Sequence, residues 1–252
     1  MMRWIAMTLL VLLTGLPALA DDPAIDPTLD ALDKQGKNLK EFTAKVKMSQ
    51  TDAAFGTDDT WAGNVAFQKK SDGDARIHVV FDQHIRGKVA MPIKKEREYL
   101  LDNRMLVDRD YPKKIEVNRQ VLREGEKINL LKLGEGPFPL PIGQSKEDVH
   151  KNFDVTRIAP AKDDPAGTIH LKLDPKKGTA LAAKFKSLDI WVDQKLQMPV
   201  RIDTLDAAGT EQRRTDLTDI KINPPGGLKD AEFQLPPIVE REWSRKTELM
   251  EK

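Results

Sequence analysis

The chain has no cysteine, which excludes disulfides, thiolate zinc sites, iron–sulfur clusters, cysteine nucleophiles and an acylated N-terminal cysteine. It also has almost no net charge. With 41 Lys and Arg against 40 Asp and Glu in 252 residues, nucleic-acid binding driven by a large positive charge is excluded. The 15 glycines and 16 prolines fall short of collagen or low-complexity composition, and 39% apolar with 32% charged residues describes a globular chain. Long apolar runs are lacking too. The longest, Trp4 to Leu13, is too short for the ~20 residues a spanning helix needs.

That run has another use. Arg3 precedes it, Gly15-Leu16-Pro17 breaks it, and Ala18-Leu19-Ala20 follows, which is the layout of a secretory signal with cleavage expected after Ala20. Its removal leaves 40 bases and 40 acids, so attraction to anionic lipid would need a local patch. A product outside the cytoplasm, in the periplasm, is expected. The remaining chain is of a size that one β-rich domain fills, from residue 21 to 237, followed by a charged tail from 238 to 252.

Hydrophobic periodicity then organises that domain. Pro27 to Lys37 reads as a helix with Asp26 as N-cap and Pro27 at the first helical position. From Phe42 the period drops to two: Phe42, Ala44, Val46 and Met48 alternate with polar residues, and Trp61, Gly63, Val65 and Phe67 repeat this across a turn at 55–59. Ala75, Ile77, Val79 and Phe81 make a third strand, 88–101 a fourth, 105–109 a fifth and 115–121 a sixth. Consecutive strands with short turns argue for a meander rather than βαβ units. The string GPFPLPIG at 136–143 excludes a regular strand or helix, and Ser145 with Asp148 caps a short helix to about Phe153. Strands resume at 153–158, 168–173, 185–192, 200–205 and 210–222, with an extended piece at 232–235. The segment after Pro236-Pro237 reads as a frayed helix or mobile tail.

Catalytic patterns are missing. His78, His84, His150 and His170 lie on separate elements without ligand spacing, and no G-x-S-x-G, Walker loop, S-x-x-K or dinucleotide fingerprint occurs. The acid pairs Asp58-Asp59 and Asp163-Asp164 fall in polar turns, and the basic pairs are spread evenly among acids. No metal, cofactor or catalytic residue is expected. About eleven strands with so little helix can hide an apolar face only if the sheet curls, so the fold class is α+β: a strongly curved antiparallel sheet, an unclosed half-barrel, with a small helix and loop lid.

The order of elements resembles the LolA-like outer-membrane lipoprotein carriers. The segments that carry the likeness are FTAKVKMSQT (42–51), WAGNVAFQKK (61–70), ARIHVVFD (75–82), EYLLDNRMLVDRDY (98–111), LKLDP (171–175), the long stretch 185–223 and LKDAEFQLPP (228–237). The resemblance implies an unclosed barrel whose hydrophobic cavity carries lipoprotein acyl chains or other lipids. It also implies a monomer that serves an inner-membrane release complex and an outer-membrane acceptor. Related folds act as receptors or as sensors that recognise a protein. The family's basic residue before a proline, which ties the lid shut, is absent: Lys69-Lys70 is followed by Ser71-Asp72. The expected lining is Phe42, Val46, Trp61, Val65, Phe67, Ile77, Val79, Phe81, Ile190, Val192 and Ile202, closed by Phe138 and Leu140. The bland alternative is that these residues fill a solid core.

Overall fold

A computed structural model describes residues 24–71, 74–91, 95–123 and 145–250. The expected signal segment and expected cleavage site, the GPFPLPIG loop, Phe138 and Leu140 lie outside them. Among the described residues the chain forms α1 (Ile25–Asn38), β1 (Glu41–Asp52), β2 (Thr57–Ser71), β3 (Asp74–Arg86), β4 (Val89–Ala90), β5 (Arg97–Asp102), β6 (Met105–Asp110) and β7 (Ile115–Gln120). Then follow α2 (Lys146–Asn152), β8 (Phe153–Ile158), β9 (Thr168–Pro175), β10 (Phe185–Asp193), β11 (Met198–Asp206), β12 (Glu211–Ile222) and β13 (Ser244–Glu248).

The strands form one curved, unclosed sheet in the order β13-β7-β6-β5-β3-β2-β1-β12-β11-β10-β9-β8, with β4 on the end of β3. It is two meanders joined where β1 pairs β12. Every pairing is antiparallel except β13 on β7. Asn223 secures the junction: its side-chain oxygen accepts from the Lys40 and Glu41 amides while its own amide donates to the Glu41 carbonyl.

Irregularities in the ladders bend the sheet, because an extra residue on one strand kinks it and increases its twist. Asp82 is extra where Gly63 opposes Phe81 and Ala62 opposes Gln83. Gly63 is required there, since a Cβ would sit 1.8 Å from the Val80 carbonyl oxygen. A second bulge on β12 places Asp219 at φ 51 opposite Ala44.

Several expectations change. The helix starts two residues early, and Ala24, not Asp26, is the N-cap; Thr28 Oγ1 donates to the Ala24 carbonyl at 2.7 Å. Asp26 is drawn away because it meets His150 (2.9 Å) and Lys146 (3.5 Å) of α2. The Ser145 cap forms as expected. The first hairpin turns at 53–56, so Asp58 and Asp59 belong to β2, where Asp59 has partners on β3. The expected strand 88–101 is two strands, β4 and β5, and the extended piece at 232–235 is largely a 3₁₀ turn, Asp230–Phe233. The segment read as a frayed helix or mobile tail includes β13, an edge strand. No helix among the described residues is long and apolar enough to cross a membrane.

Candidate functional site

Register places the expected lining on one face. Phe42 pairs Phe67, which pairs Ile77; Val65 pairs Val79; Gly63 pairs Phe81. One row runs from Leu171 through Ile190, Ile202, Thr215, Met48 and Trp61 to His84, so the second-half residues Ile190 and Ile202 share the face of β1 and β2. Ten of the eleven described lining candidates are buried, and Trp61 is half-buried.

They divide between two clusters. Phe42, Val46, Val65, Phe67, Ile77, Val79 and Phe81 gather with Leu39, Leu101, Leu106, Met198 and Leu217, with Trp61 packed at the margin. Ile190, Val192 and Ile202 join Leu171, Leu173 and Leu188 beneath Leu29 and Leu32 of α1 and Val149 of α2. The helices therefore cover the second half, whereas neither contributes a side chain to the first cluster. The sheet curves over that half. The charge of Arg213 on β12 is felt by the Tyr99 phenol on β5, although four strand spacings, about 19 Å along a flat sheet, separate these strands.

Sequence reasoning missed Leu101 and Leu106. They face each other across a two-residue hairpin at Asn103 and Arg104, both at positive φ, and counting back symmetrically from that turn identifies the pair. It also missed the polar end of the face. The Asp82 bulge reverses the alternation of β3, so His84 rather than Gln83 lies beside Trp61, ring centroids 5.0 Å apart and stacked. His84 is buried, its ring nitrogens 2.8 Å from Asp59 and 3.2 Å from Glu96. Nearby on β5 and β6, Arg97 donates to Tyr99 and pairs Asp110. Burial pushes the Tyr99 phenol and the Asp108 carboxyl up from their ordinary values. The face thus grades from apolar to polar. Trp61 Nε1, Glu96 Oε2 and Arg213 Nε are buried with no hydrogen-bond partner among the described residues.

The opposite face is polar and partly strapped. Residues 228–243 cross it: Phe233 is buried under Arg76, whose guanidinium lies 4.1 Å from the ring centre, and Trp243 meets Tyr111 edge-on at 5.2 Å. Beneath the strap His78 bridges the Glu232 carbonyl (2.6 Å) and Glu98 (2.9 Å). Glu98 is 1% exposed and also takes Tyr111 and Lys95. Burial alone would raise its pKa, but hydrogen bonds from His78, Tyr111 and Lys95 outweigh that and bring it to about 2. Two shallow grooves flank this arrangement, one of about 780 Å³ over Lys45, Asn64, His78 and Lys221, the other of about 620 Å³ over Lys47, Asp82, Arg201 and Asp216. No group of three or more metal-ligating side chains occurs among the described residues.

No family model and no curated protein matches this sequence. Solved structures do. The crystal structure of MucB is 11% identical, covers 86% of this chain and 64% of its own, with a TM-score of 0.50, which shows a shared fold. A putative outer membrane lipoprotein-sorting protein domain from Vibrio parahaemolyticus (12% identity, 82% and 96% covered, TM-score 0.38) and a LolA superfamily protein from Nitrosomonas europaea (11%, 83% and 97%, 0.33) also match. At these identities the likeness is one of fold alone.

Proposed function

We propose that this protein is a non-enzymatic periplasmic carrier that holds acyl chains of lipoproteins or other lipids against the inner face of the sheet and moves them toward the outer membrane. The carrying observation is the first cluster, buried strand residues centred on Phe42, Phe67, Ile77 and Phe81 to which, among the described residues, no helix contributes a side chain. Trp61 at its half-buried margin marks the passage from apolar to polar lining. Burying a methylene is worth ~0.8 kcal/mol, so a chain of about 16 carbons gains on the order of 10 kcal/mol, enough to bind reversibly after the cost of opening. A sequence without cysteine cannot be acylated at a lipobox, which suits release of the mature chain as a monomeric shuttle with cleavage after Ala20.

Native mass spectrometry with lipid extraction on residues 21–252 purified from a periplasmic fraction tests this reading. Near-stoichiometric phospholipid or lipoprotein is the expected result, and Phe81→Glu, folded by circular dichroism, loses it. A clean apo mass that also takes up no fluorescent fatty acid would show the face to be a filled core and overturn the proposal.

A further inference from the structure

The first meander ends at β7, and among the described residues what covers that edge is unlike every other strand pairing. β13 is parallel to β7 in an otherwise antiparallel sheet, five residues long, and its side chains are exposed except for partly covered Glu248. Parallel pairing is somewhat weaker per residue, and a strand with no apolar side chain adds almost no burial. Its hold is therefore the ladder plus a few side-chain contacts. Arg245 reaches Glu116 at 2.7 Å, Arg119 reaches Glu248 at 2.7 Å, and Trp243 packs on Tyr111.

The socket these contacts enter is built by the sheet, not by the strand. Glu116 is 3% exposed and accepts from Arg109 at 2.7 Å through its other oxygen; Tyr111 is fixed by its bond to Glu98. Burial would raise the Glu116 pKa, but the hydrogen bonds of Arg109 and Asn118 and the charges of Arg109 and Arg245 hold it below the usual carboxylate range, so the socket stays anionic. The strap before the strand is anchored separately, by buried Phe233 and by Arg109 donating to the Pro236 carbonyl at 2.6 Å. Residues beyond Pro236-Pro237 can thus lift away while the first part of the strap, 228–236, stays.

We propose that the β7 edge is a receptor for an extended segment of a partner protein carrying an aromatic, then an Arg two residues later and an acid three beyond that, and that residues 243–248 are an internal stand-in for it. The stand-in displays the pattern itself: Trp243, Arg245 and Glu248 complement Tyr111, Glu116 and Arg119. This is strand addition, in which main-chain bonds give affinity and alternate side chains give specificity. The inference does not depend on the acyl-chain reading.

The absence of cysteine permits a clean test. Val117→Cys with Lys246→Cys, at paired positions of β7 and β13, locks the stand-in when oxidised and frees it when reduced. Trp243→Ala with Arg245→Ala opens the edge in the full mature chain. The probe is a fluorescent peptide of residues 240–250. A tethered strand competes at an effective concentration of about millimolar, so the opened variant is expected to bind the probe at least about tenfold more tightly than the unmodified chain. The oxidised lock should not bind, reduction should restore binding, and a probe with Glu at the Arg245 position should fail. Equal binding by oxidised and reduced lock, or none by the opened variant, would reduce β13 to a protective edge strand and overturn the proposal. A dimer that the intramolecular lock abolishes would assign the edge to a second copy and overturn it equally.

Discussion

Replacing Glu98 with Gln should produce a stability defect that acid erases. In the native protein this carboxylate is 1% exposed, accepts from His78, Tyr111 and Lys95, and has a pKa of about 2 against an ordinary 4.5. A group whose folded pKa is depressed contributes stability that is complete above its unfolded pKa and is lost as pH falls through the folded one. The difference of about 2.5 units corresponds to ~3 kcal/mol at neutral pH, of which ~2.5 remains near pH 4 and ~1.5 near pH 3. Gln keeps the volume and one acceptor but no charge, so it forfeits the titrating part. Urea unfolding of the native protein and Glu98→Gln, followed by tryptophan fluorescence at several pH values, measures the gap directly. It should be about 3 kcal/mol at neutral pH, of the size expected on breaking a buried charged cluster, and should narrow by half or more on acidification. A gap that is constant with pH would refute the assignment of the effect to the Glu98 charge. A gap below about 1 kcal/mol at neutral pH would show that the cluster merely breaks even with its desolvation.

Gly63→Ala should cost at least about 2 kcal/mol, because the new Cβ would strike the Val80 backbone oxygen and no side chain can yield. A melting temperature within a degree of the native value would show that the bulge does not need glycine. Leu29→Ala should lose about 2–5 kcal/mol as α1 loosens from the second cluster, seen as a lower urea midpoint; an unchanged midpoint would mean α1 is dispensable to that cluster. Phe233→Ala, which removes the ring under Arg76, should cost about 3–5 kcal/mol and expose residues 228–243 to proteolysis. Cutting elsewhere, with this segment intact, would show that the strap is held by its polar ties alone.

Most of the sheet was legible because its signal is local. Phe42, Ala44, Val46 and Met48 alternate as a half-buried strand must, and that period survives into the register unchanged. What failed was non-local or broke the period. The Asp82 bulge cannot be read from β3 alone, so the place of His84 against Trp61 was invisible, and Asp59 looked like a turn residue until β3 supplied its partners. β13 has no apolar member to alternate, and its partner strand lies more than a hundred residues away, so its charged sequence reads equally well as a solvated end. The N-cap was misassigned for a related reason: Asp26 is a good cap by type, but α2 takes its carboxylate. Of the candidate site, the residues of the face were legible and its grading from apolar to polar was not, since that depends on which strands the curl brings together.

A one-residue slip of a strand would turn its apolar set out to solvent, so one-sided burial already forbids it, but a two-residue slip keeps each side chain on its own face and is resisted less by apolar packing. The polar face supplies what packing lacks. Glu41, Gln68, Arg76 and Asp230 form a chain of hydrogen bonds across β1, β2, β3 and the strap, with Gln68 donating to Glu41 at 2.8 Å and Arg76 donating to Gln68 at 2.9 Å and to Asp230 at 2.6 Å. Arg214 grips Asp203 with two nitrogens between β12 and β11, and Arg109 holds Glu116 between β6 and β7. These contacts are directional and lie on the side away from the lining, so the register they fix is independent of what the inner face holds. Substituting Arg76 by Met should therefore leave the apolar face its composition while loosening the alignment of β2 on β3 and the seat of the strap. Native hydrogen exchange would show this as lost protection along 62–70 and 74–81. Unchanged protection there would place the register in the packing after all.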